Sequence, residues 1–373
     1  MGIRKRGDRW LVTVEIGSDE RGVRRRRHVT CTSEVDAKRE EAVLTAEVLT
    51  GTYVEPSTDT VAEFLTEWLR HAGRGNAQST RDCYLINVRT HLIPALGRIK
   101  LAQLRPMHVE RFLTAQARKG LAPATIDKHY WTLHKALDRA VAWGKLVRNP
   151  ADQVDKPGQQ DSHVRSFDVV EQAQILGRAA GTWMYGPILV AMATGMRRGE
   201  IVALRWRDLD LDAGTIAVRG SVQEDTGGVS MGAGKTTASV RVVRVPASIC
   251  TFLSEHRDKQ RLLAGAVSTY RDAGLVFARE DGSIKRPSVV TNQFGRICER
   301  LGIEDAHFHC LRHTFATEML RAGVNVKVVS EMLGHASVST TLRIYAHVLE
   351  DMQADAALRA GAIVAAAMGL VEN

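Results

Sequence analysis

The sequence predicts a multidomain protein with three modules. These are a small β-sheet plus helix at the N-terminus, an all-α module in the middle, and a mixed α+β, mainly helical module at the C-terminus. The 373 residues suit two or three domains at roughly 100–200 residues each. Apolar residues alternate with period two before residue 20 and follow a helical period after residue 60. Two proline-containing stretches, 54–58 and 156–162, separate these patterns as linkers. We place the modules at residues 1–56, 60–156 and 163–373.

The N-terminal module is predicted from two strands and a helix, with room for a third strand. Trp10–Ile16 alternates apolar and polar residues, and Val23–Cys31 is a second run with β-branched residues. Ser33 is a candidate helix N-cap, and the helix that it begins runs toward Gly51.

Four consecutive arginines lie on the second of these strands: Arg24, Arg25, Arg26 and Arg27. They are either a solvated edge strand protected by charge or a nucleic-acid contact, with alternate arginines on opposite faces of the sheet. Their number favours the nucleic-acid interpretation.

Residues 60–150 predict four helices. Thr60 and Glu63 form a capping box, and the apolar residues that follow them recur at the spacing of one helix face. Further helices are predicted over 79–92, 106–119 and 124–143. Basic residues between the apolar positions, including Arg81, Lys128 and Lys135, are either solvated faces or a DNA-facing surface.

Positive charge is concentrated in the first 160 residues. The chain has 51 Lys and Arg against 42 Asp and Glu, a formal net charge of +9. Residues 1–30 carry +5, residues 31–60 carry −5, residues 61–160 carry +8, and the rest of the chain carries +1. Such clustering is typical of proteins that contact the phosphate backbone, so it favours the DNA interpretation of both basic sets.

Composition indicates a folded protein that works without a membrane. Hydrophobic residues make up 44% of the chain and charged residues 25%, which supports a packed core and excludes an intrinsically disordered chain. No apolar run approaches the roughly 20 residues that span a bilayer, and the first ten residues are not followed by the apolar stretch of a signal peptide. We therefore expect a cytoplasmic protein.

Cysteine usage argues for reduced thiols. The five cysteines are scattered and form no Cys-x-x-Cys pair: Cys31, Cys83, Cys250, Cys298 and Cys310. We expect neither a disulfide framework nor a zinc site. The stretch His307–His313 is rich in histidine, but no second Cys or His cluster has ligand spacing, so we expect no metal.

The C-terminal module mixes helices with strands. Residues 188–204 and most of 288–349 predict helix, whereas 215–222 and 240–245 predict strands. Four short patches in this module combine residue types that suit phosphate chemistry. They are Ala193-Thr-Gly-Met-Arg-Arg-Gly-Glu200, Gly234-Lys-Thr-Thr-Ala-Ser239, His309-Cys-Leu-Arg-His-Thr-Phe-Ala316, and Leu333-Gly-His335 with Tyr345 ten residues later.

In this order and spacing, the four patches resemble the catalytic domain of the tyrosine recombinases, the phage integrase family. The resemblance covers at least residues 185–350, and the combination is far more specific than any single patch. Residues 60–156 resemble the core-binding domain of the family, and residues 1–56 resemble the arm-type DNA-binding domain of integrases that recognise accessory sites. The ten-residue step from His335 to Tyr345, where some members have nine, is a minor departure.

The resemblance implies a role for each of seven residues. Tyr345 would be the nucleophile that forms a 3′-phosphotyrosyl link, and Lys235 would be the general acid for the departing 5′-oxygen. Arg197 and Arg312 would grip the non-bridging oxygens, because guanidinium groups match phosphate in geometry and charge. His309, His335 and Glu200 would complete the site through proton transfer, hydrogen bonding and support of Arg197, respectively.

The patches also have plainer interpretations. Arg197 could be a solvated helix end and Tyr345 a core aromatic residue. Residues 232–236 imitate a phosphate-binding loop, but such a loop needs glycine where this chain has Val229, and a strand rather than a helix is predicted to follow. We therefore do not expect an ATPase.

As a whole, the resemblance implies a site-specific recombinase that integrates a mobile element such as a phage and excises it with helpers. Its partners would be double-stranded DNA at core and arm sites, three further protomers in a homotetramer, an excision factor and a DNA-bending host protein. No cofactor is expected, because the phosphotyrosine keeps the energy of the phosphodiester. The alternatives are a Xer-like dimer resolvase, which usually lacks the N-terminal module, a type IB topoisomerase, and a non-catalytic DNA-binding regulator on the same scaffold.

The alanine-rich tail after residue 352 has an apolar side formed by Ala356, Leu358, Ile363, Val364 and Ala367. This tail either docks on its own module or packs into a neighbouring protomer. The resemblance favours the exchanged arrangement.

Overall fold

The computed structural model of the chain describes residues 2–18, 22–50, 53, 58–73, 75–155, 165–233 and 240–368. The chain divides into two compact units, Met1–Asp161 and Ser162–Asn373. The linker predicted at 156–162 lies outside the described residues, and so does all of the linker at 54–58 except Thr58. The further division of the first unit into two modules stays a prediction.

The N-terminal part of the first unit is a three-stranded antiparallel sheet covered by one helix. Its elements are β1 (Gly2–Arg6), β2 (Arg9–Ser18), β3 (Arg24–Cys31) and α1 (Glu34–Leu49), with the strands in the order β1-β2-β3. Val12 and Val14 are buried in one cluster with Ala37 and Leu44 of the helix. Ser33 caps α1 by accepting a hydrogen bond from the Asp36 amide at 3.1 Å, as the sequence predicts.

The rest of the first unit is helical. Its elements are α2 (Val61–Ala72), α3 (Gln78–Ile86), α4 (Ile93–Leu96), α5 (Pro106–Arg118) and α6 (Pro123–Ala142). The capping box of Thr60 and Glu63 is present. A π-helical turn, Asn87–Leu92, joins α3 to α4 in place of the regular helix predicted over 79–92. Pro94 lies two residues after the end of this turn, and a proline has no N–H to donate to a preceding carbonyl.

The second unit mixes nine helices with five short strands among its described residues. The helices are α7 (Val169–Ala179), α8 (Tyr185–Thr194), α9 (Arg198–Ala203), α10 (Ala247–Ala266), α11 (Pro287–Arg300), α12 (His309–Arg321), α13 (Val326–Leu333), α14 (Val338–Ile344) and α15 (Ala346–Ala367). The strands are β4 (Leu209–Asp210), β5 (Thr215–Val218), β6 (Gly220–Asp225), β7 (Gly228–Ala233) and β8 (Arg241–Arg244). They form an antiparallel sheet β4-β5-β8 and a separate hairpin β6-β7.

Two predictions for this unit were wrong in detail. The single helix expected over 188–204 is broken at Gly195, which has φ +63 and ends α8 in the left-handed region. The single strand expected over 215–222 is two strands, β5 and β6, which belong to different sheets. The break at Gly195 matters for the site, because it places Arg197 at the N-cap of α9.

Helix α12 lies in the core of the second unit. Leu311 is fully buried in the main hydrophobic cluster, and Phe315 and Ala316 are buried in a second cluster with residues of α13 and with Tyr345. Because both sides of the helix are packed, its polar residues have fixed positions. Within the described part of the chain, none of the helices combines the length and the apolar character that a membrane span requires.

Candidate active site

Helix α12 carries three of the site residues on one face. His309, Arg312 and His313 follow the i, i+3, i+4 spacing that brings side chains together on a helix. Arg312 is only 2% exposed. Its Nη1 donates to the Gly195 carbonyl at 2.9 Å, which is free because the chain leaves α8 at that residue.

Arg312 keeps one donor unused. Its Nη2 is buried and has no hydrogen-bond partner among the described residues. Burial, and then the neighbouring Arg197, lower the pKa of Arg312 to about 9, so the side chain is still cationic at neutral pH. A buried cation with a free donor is costly unless an anion completes it, and a planar guanidinium suits a phosphate.

Arg197 is held beside this position by Glu200. At the start of α9, Arg197 donates from Nη1 to Glu200 Oε1 at 3.0 Å and from Nη2 to the Gly334 carbonyl at 3.2 Å. Glu200 is 5% exposed and also accepts two hydrogen bonds from Arg241 of β8, at 3.1 and 2.9 Å. One carboxylate thus fixes two arginines and leaves a net positive charge.

Glu200 stays ionised in this setting. Burial raises the pKa of its carboxyl, but hydrogen bonds from Arg241 and then Arg197 outweigh burial and hold that pKa below its ordinary value. Arg241 also donates from Nε to the Met332 carbonyl at 2.6 Å. The arginine pair therefore grips the end of α13, where the loop to His335 begins.

His335 follows the left-handed Gly334 that ends α13. Its Nδ1 lies 2.8 Å from the hydroxyl of Thr341, a fully buried residue of α14. If Thr341 donates to Nδ1, the ring proton is on Nε2, which is then available as a donor. Burial, and then Arg312 and Arg197, lower the pKa of His335 to about 4, so the ring is neutral at pH 7.

Tyr345 lies at the junction of α14 and α15 and is 1% exposed. Its hydroxyl lies 2.8 Å from Nδ1 of His313. Burial raises the pKa of Tyr345 to about 12, although Arg312 acts in the opposite direction. At pH 7 only about one such hydroxyl in 10⁵ is ionised, so Tyr345 needs a proton acceptor to act as a nucleophile.

His309 lies against His313, with ring centroids 4.7 Å apart in an edge-to-face arrangement. Although part of the residue is exposed, desolvation of the ring, and then His313 and Arg312, lower its pKa to about 3. His309 is therefore neutral at pH 7 and available as a hydrogen-bond donor or acceptor.

The structure thus brings together six of the seven residues that the resemblance assigns to the site: Arg197, Glu200, His309, Arg312, His335 and Tyr345. Lys235 lies outside the described residues. Sequence reasoning gave no role to Arg241, His313 or Thr341, although the i, i+4 spacing of His309 and His313 indicates that these two rings share a face.

The residues predicted to contact DNA lie in the first unit. Register places Arg26 opposite Glu15 and Arg27 opposite the buried Val14, so the two arginines point to opposite faces of the sheet. Arg24, Arg25 and Arg26 are exposed, and Arg27 is half-buried on the face that α1 covers. In the helical part, Arg81, Lys128 and Lys135 are exposed. Lys135 donates to the Tyr84 hydroxyl at 2.9 Å, and Arg81 donates to the Asn76 carbonyl at 3.1 Å.

Curated proteins similar to this chain are recombinases and integrases. A "Tyrosine recombinase XerC-like" protein of Caldanaerobacter subterraneus subsp. tengcongensis is 28% identical over 370 residues, which cover 93% of this chain and 94% of the relative. An "Integrase" of Streptomyces ambofaciens is 28% identical over 358 residues, which cover 90% of this chain and 89% of the relative.

Solved structures share the fold. The Tn1549 transposon integrase in complex with transposon right end DNA matches with a TM-score of 0.67 at 21% identity, over 80% of this chain and 99% of that chain. A lambda integrase tetramer bound to a Holliday junction matches with a TM-score of 0.59 at 18% identity, over 90% of this chain and 95% of that chain.

Two family models match the sequence itself. The model of the phage integrase N-terminal SAM-like domain matches residues 60–115, and the model of the phage integrase family matches residues 165–352, half of the chain. The second match spans every residue placed in the site above. The chain therefore belongs to the phage integrase family, the tyrosine recombinases, and is a DNA recombinase.

Proposed function

We propose that this chain is a site-specific recombinase that integrates a mobile element, such as a phage, and excises it with helper proteins. The observation that carries the proposal is the buried Arg312, whose Nη2 has no partner among the described residues and whose charge interacts with Arg197, His335 and Tyr345. Such a site suits one phosphodiester of DNA, held by two guanidinium groups next to a tyrosine hydroxyl.

Each site residue has a task in this scheme. Arg312 and Arg197 bind the non-bridging oxygens and stabilise the charge that develops on them. His309 and His335 donate further hydrogen bonds to the same phosphate. Tyr345 attacks phosphorus and forms a 3′-phosphotyrosyl link, and Lys235 donates the proton that the departing 5′-oxygen needs. Because that link keeps the energy of the phosphodiester, the reaction as proposed uses no cofactor.

Glu200 and Arg241 act as positioning residues. Glu200 orients Arg197 through a hydrogen bond of 3.0 Å, and Arg241 donates to the same carboxylate and holds it in place. Both residues are buried, so their geometry is set before DNA binds. This preorganisation favours the charged transition state over free substrate.

The open face of the N-terminal sheet is the surface that we assign to arm-type DNA. It is the face away from α1, and register places four arginines on it: Arg4, Arg6, Arg9 and Arg26. Their charge suits phosphate contacts. Arg24 and Arg25 extend the positive edge of β3, whereas Arg27 lies on the covered face. In the helical part, Arg81, Lys128 and Lys135 are the proposed contacts to the core site.

The proposed assembly is a homotetramer that joins two DNA sites in a bacterial cytoplasm. The lambda integrase tetramer bound to a Holliday junction supports strand exchange through such an intermediate. An excision factor and a DNA-bending host protein would set direction. The exposed apolar residues Leu358, Ile363 and Val364 of α15 would pack against a neighbouring protomer.

A Xer-like dimer resolvase is the nearest alternative, since the relative from Caldanaerobacter has a XerC-like name. The Streptomyces integrase and the transposon integrase structures favour integration. Only the integrase function needs a surface that binds arm DNA, so variants of the open face test it. With Arg4→Ala and Arg26→Ala together in the full chain, integration should be lost while core-site cleavage is kept. Lys38→Ala, on the opposite side of the module, is the control; unchanged integration by the double variant would refute the assignment of this face to arm DNA, and a wild-type chain that resolves dimers but does not integrate would favour the resolvase.

Cleavage itself is tested with a nicked duplex that spans the short direct repeat flanking the integrated element. Wild-type protein should become covalently attached to the nicked strand, and Tyr345→Phe should not. A wild-type chain that binds this DNA but forms no adduct would instead be a non-catalytic DNA-binding regulator.

A further inference from the structure

The hydroxyl of Tyr345 meets His313 and not one of the histidines assigned by resemblance. Among the described residues, His313 is its one hydrogen-bond partner, with Oη and Nδ1 2.8 Å apart. The two rings lie 5.9 Å apart between centroids. His313 follows Arg312 directly on α12, so the same helix presents the phosphate-binding guanidinium and an imidazole at the tyrosine.

We propose that His313 takes the proton of Tyr345 as DNA is cleaved and returns it as DNA is rejoined. This inference rests on the proposed function, in which Tyr345 is the nucleophile. His313 would then be a catalytic residue, because it touches the reacting oxygen.

Proton transfer from Tyr345 accompanies its attack on phosphorus. The Oη–H bond of Tyr345 breaks and its proton moves to Nδ1 of His313, while an electron pair of Oη forms the Oη–P bond. The P–O5′ bond breaks, and the 5′-oxygen receives a proton from the general acid, for which Lys235 is proposed above. Rejoining runs the same steps in reverse, with the proton moving from Nδ1 back to Oη.

His313 has the protonation state that this task requires. Desolvation, and then Arg312 and His307, lower its pKa to about 4, so the ring is neutral at pH 7. With its proton on Nε2, Nδ1 accepts from the tyrosine hydroxyl. Because the pKa of Tyr345 is about 12, complete ionisation before attack is unfavourable. The proton therefore moves as the Oη–P bond forms.

The positions of His309 and His335 suit contacts with the phosphate rather than with Tyr345. Nδ1 of His335 lies 2.8 Å from the Thr341 hydroxyl, so that nitrogen is occupied. His309 lies edge-to-face against the His313 ring, and its position beside Arg312 on α12 suits the phosphate. A division of labour follows, in which His309 and His335 serve the phosphate and His313 serves the nucleophile.

The test is the cleavage rate of the nicked duplex by the full chain. His313→Gln keeps a hydrogen-bonding group but cannot accept the proton, so the rate should fall by about 10²–10⁴-fold, with DNA affinity unchanged. His307→Gln is the matched control. That ring lies against the Cys310 sulfur, at 3.1 Å, and its loss should change the rate by less than about threefold. A rate for His313→Gln equal to or above that of wild type would overturn the proposal. His313 would then either have no role in cleavage or hold Tyr345 in an unreactive position.

Fluorinated tyrosine at position 345 tests whether His313 acts as a base or only positions the tyrosine ring. Fluorine makes the phenol more acidic, so cleavage by a variant without a base should become faster, whereas cleavage by wild type should change little. Equal changes in wild type and His313→Gln would overturn the proposal. If His313→Gln does not fold, a fluorotyrosine series in the wild-type chain still decides: a rate that rises steeply with phenol acidity indicates prior ionisation and no base. Adduct formation by Tyr345→Phe would refute the proposed function itself, which is a different result from either of these.

Discussion

Glu200 shows how one buried carboxylate organises the site. Its two oxygens are shared between Arg197 and Arg241, and the side chains of Glu200 and Arg241 are 5% and 8% exposed. Breaking a buried pair by removing one partner leaves a desolvated charge without compensation. The arrangement therefore couples the stability of the second unit to the geometry of the phosphate site.

We predict that Glu200→Ala lowers the free energy of unfolding by about 3–5 kcal/mol and slows cleavage. Urea unfolding monitored by circular dichroism measures the loss. Asp258→Ala is the control, because its ion pair with Arg261 is largely exposed and should contribute less than about 1 kcal/mol. A loss for Glu200→Ala no larger than that of the control would contradict the account.

One buried and two half-buried histidines make the fold sensitive to acid. The pKa of His129 is lowered to about 4 by burial and then by His91, and those of His313 and His335 are also lowered to about 4 from the ordinary 6.5. As the pH falls, these histidines therefore take up protons at a higher pH in the unfolded chain than in the folded chain. We predict a free energy of unfolding that is constant above pH 6.5 and falls as the pH drops toward 4.

Urea unfolding at a series of pH values measures this dependence, and His335→Gln should flatten it by removing one of the groups. The same slope in wild type and variant would show that His335 is not protonated on unfolding in this range.

At the scale of elements, the break between α8 and α9 builds the site. Gly195 has φ +63, and a Cβ there would lie 2.5 Å from the Phe315 ring and 2.8 Å from Leu333. The same residue offers its carbonyl to Arg312. Glycine is therefore required both by backbone conformation and by close packing.

We predict that Gly195→Ala destabilises the second unit by about 1–3 kcal/mol and lowers cleavage by moving Arg312. Thermal unfolding and covalent trapping measure the two effects. Gly177→Ala on α7, where a Cβ meets nothing within 4 Å, is the control and should be neutral or slightly stabilising. Equal behaviour of the two variants would contradict the role given to Gly195.

Sequence patterns predict helices well here and their interruptions poorly. The capping box at Thr60 and the cap at Ser33 are local, so they are visible in the sequence and were confirmed. The break at Gly195 was missed, because an apolar pattern continues across it and its cause is packing against α12 and α13. The strand over 215–222 was not divided for a similar reason: β5 pairs with β8, which is distant in sequence, whereas β6 turns away into a hairpin with β7.

The candidate site follows the same rule. Arg197, His309, Arg312, His335 and Tyr345 stand in patches whose spacing could be recognised from the sequence. The contact between His313 and Tyr345 spans 32 residues and depends on how α12 packs against the start of α15. No sequence pattern states which histidine meets the hydroxyl, so this partner became visible only in the structure.

At the scale of the whole molecule, the tail predicts how protomers assemble. Leu358, Ile363, Val364 and Met368 of the α15 end are 55–73% exposed, and the proposed tetramer would cover them. We predict that Ile363→Ser with Val364→Ser weakens the joining of two DNA sites while single-site binding is unchanged. Electrophoretic mobility of one-site and two-site complexes measures this, with Ala360→Ser as the control. Full joining by the double variant would refute the exchanged tail.

The proposed chemistry depends most on one covalent bond, between Tyr345 and the 3′-phosphate of cleaved DNA. Mass spectrometry of the peptide that stays attached to the nicked strand identifies the residue directly. We predict a single modified peptide that contains Tyr345, with the nucleotide on its phenolic oxygen, and no adduct with Tyr345→Phe. Attachment at any other residue, or cleavage without a covalent adduct, would contradict the account.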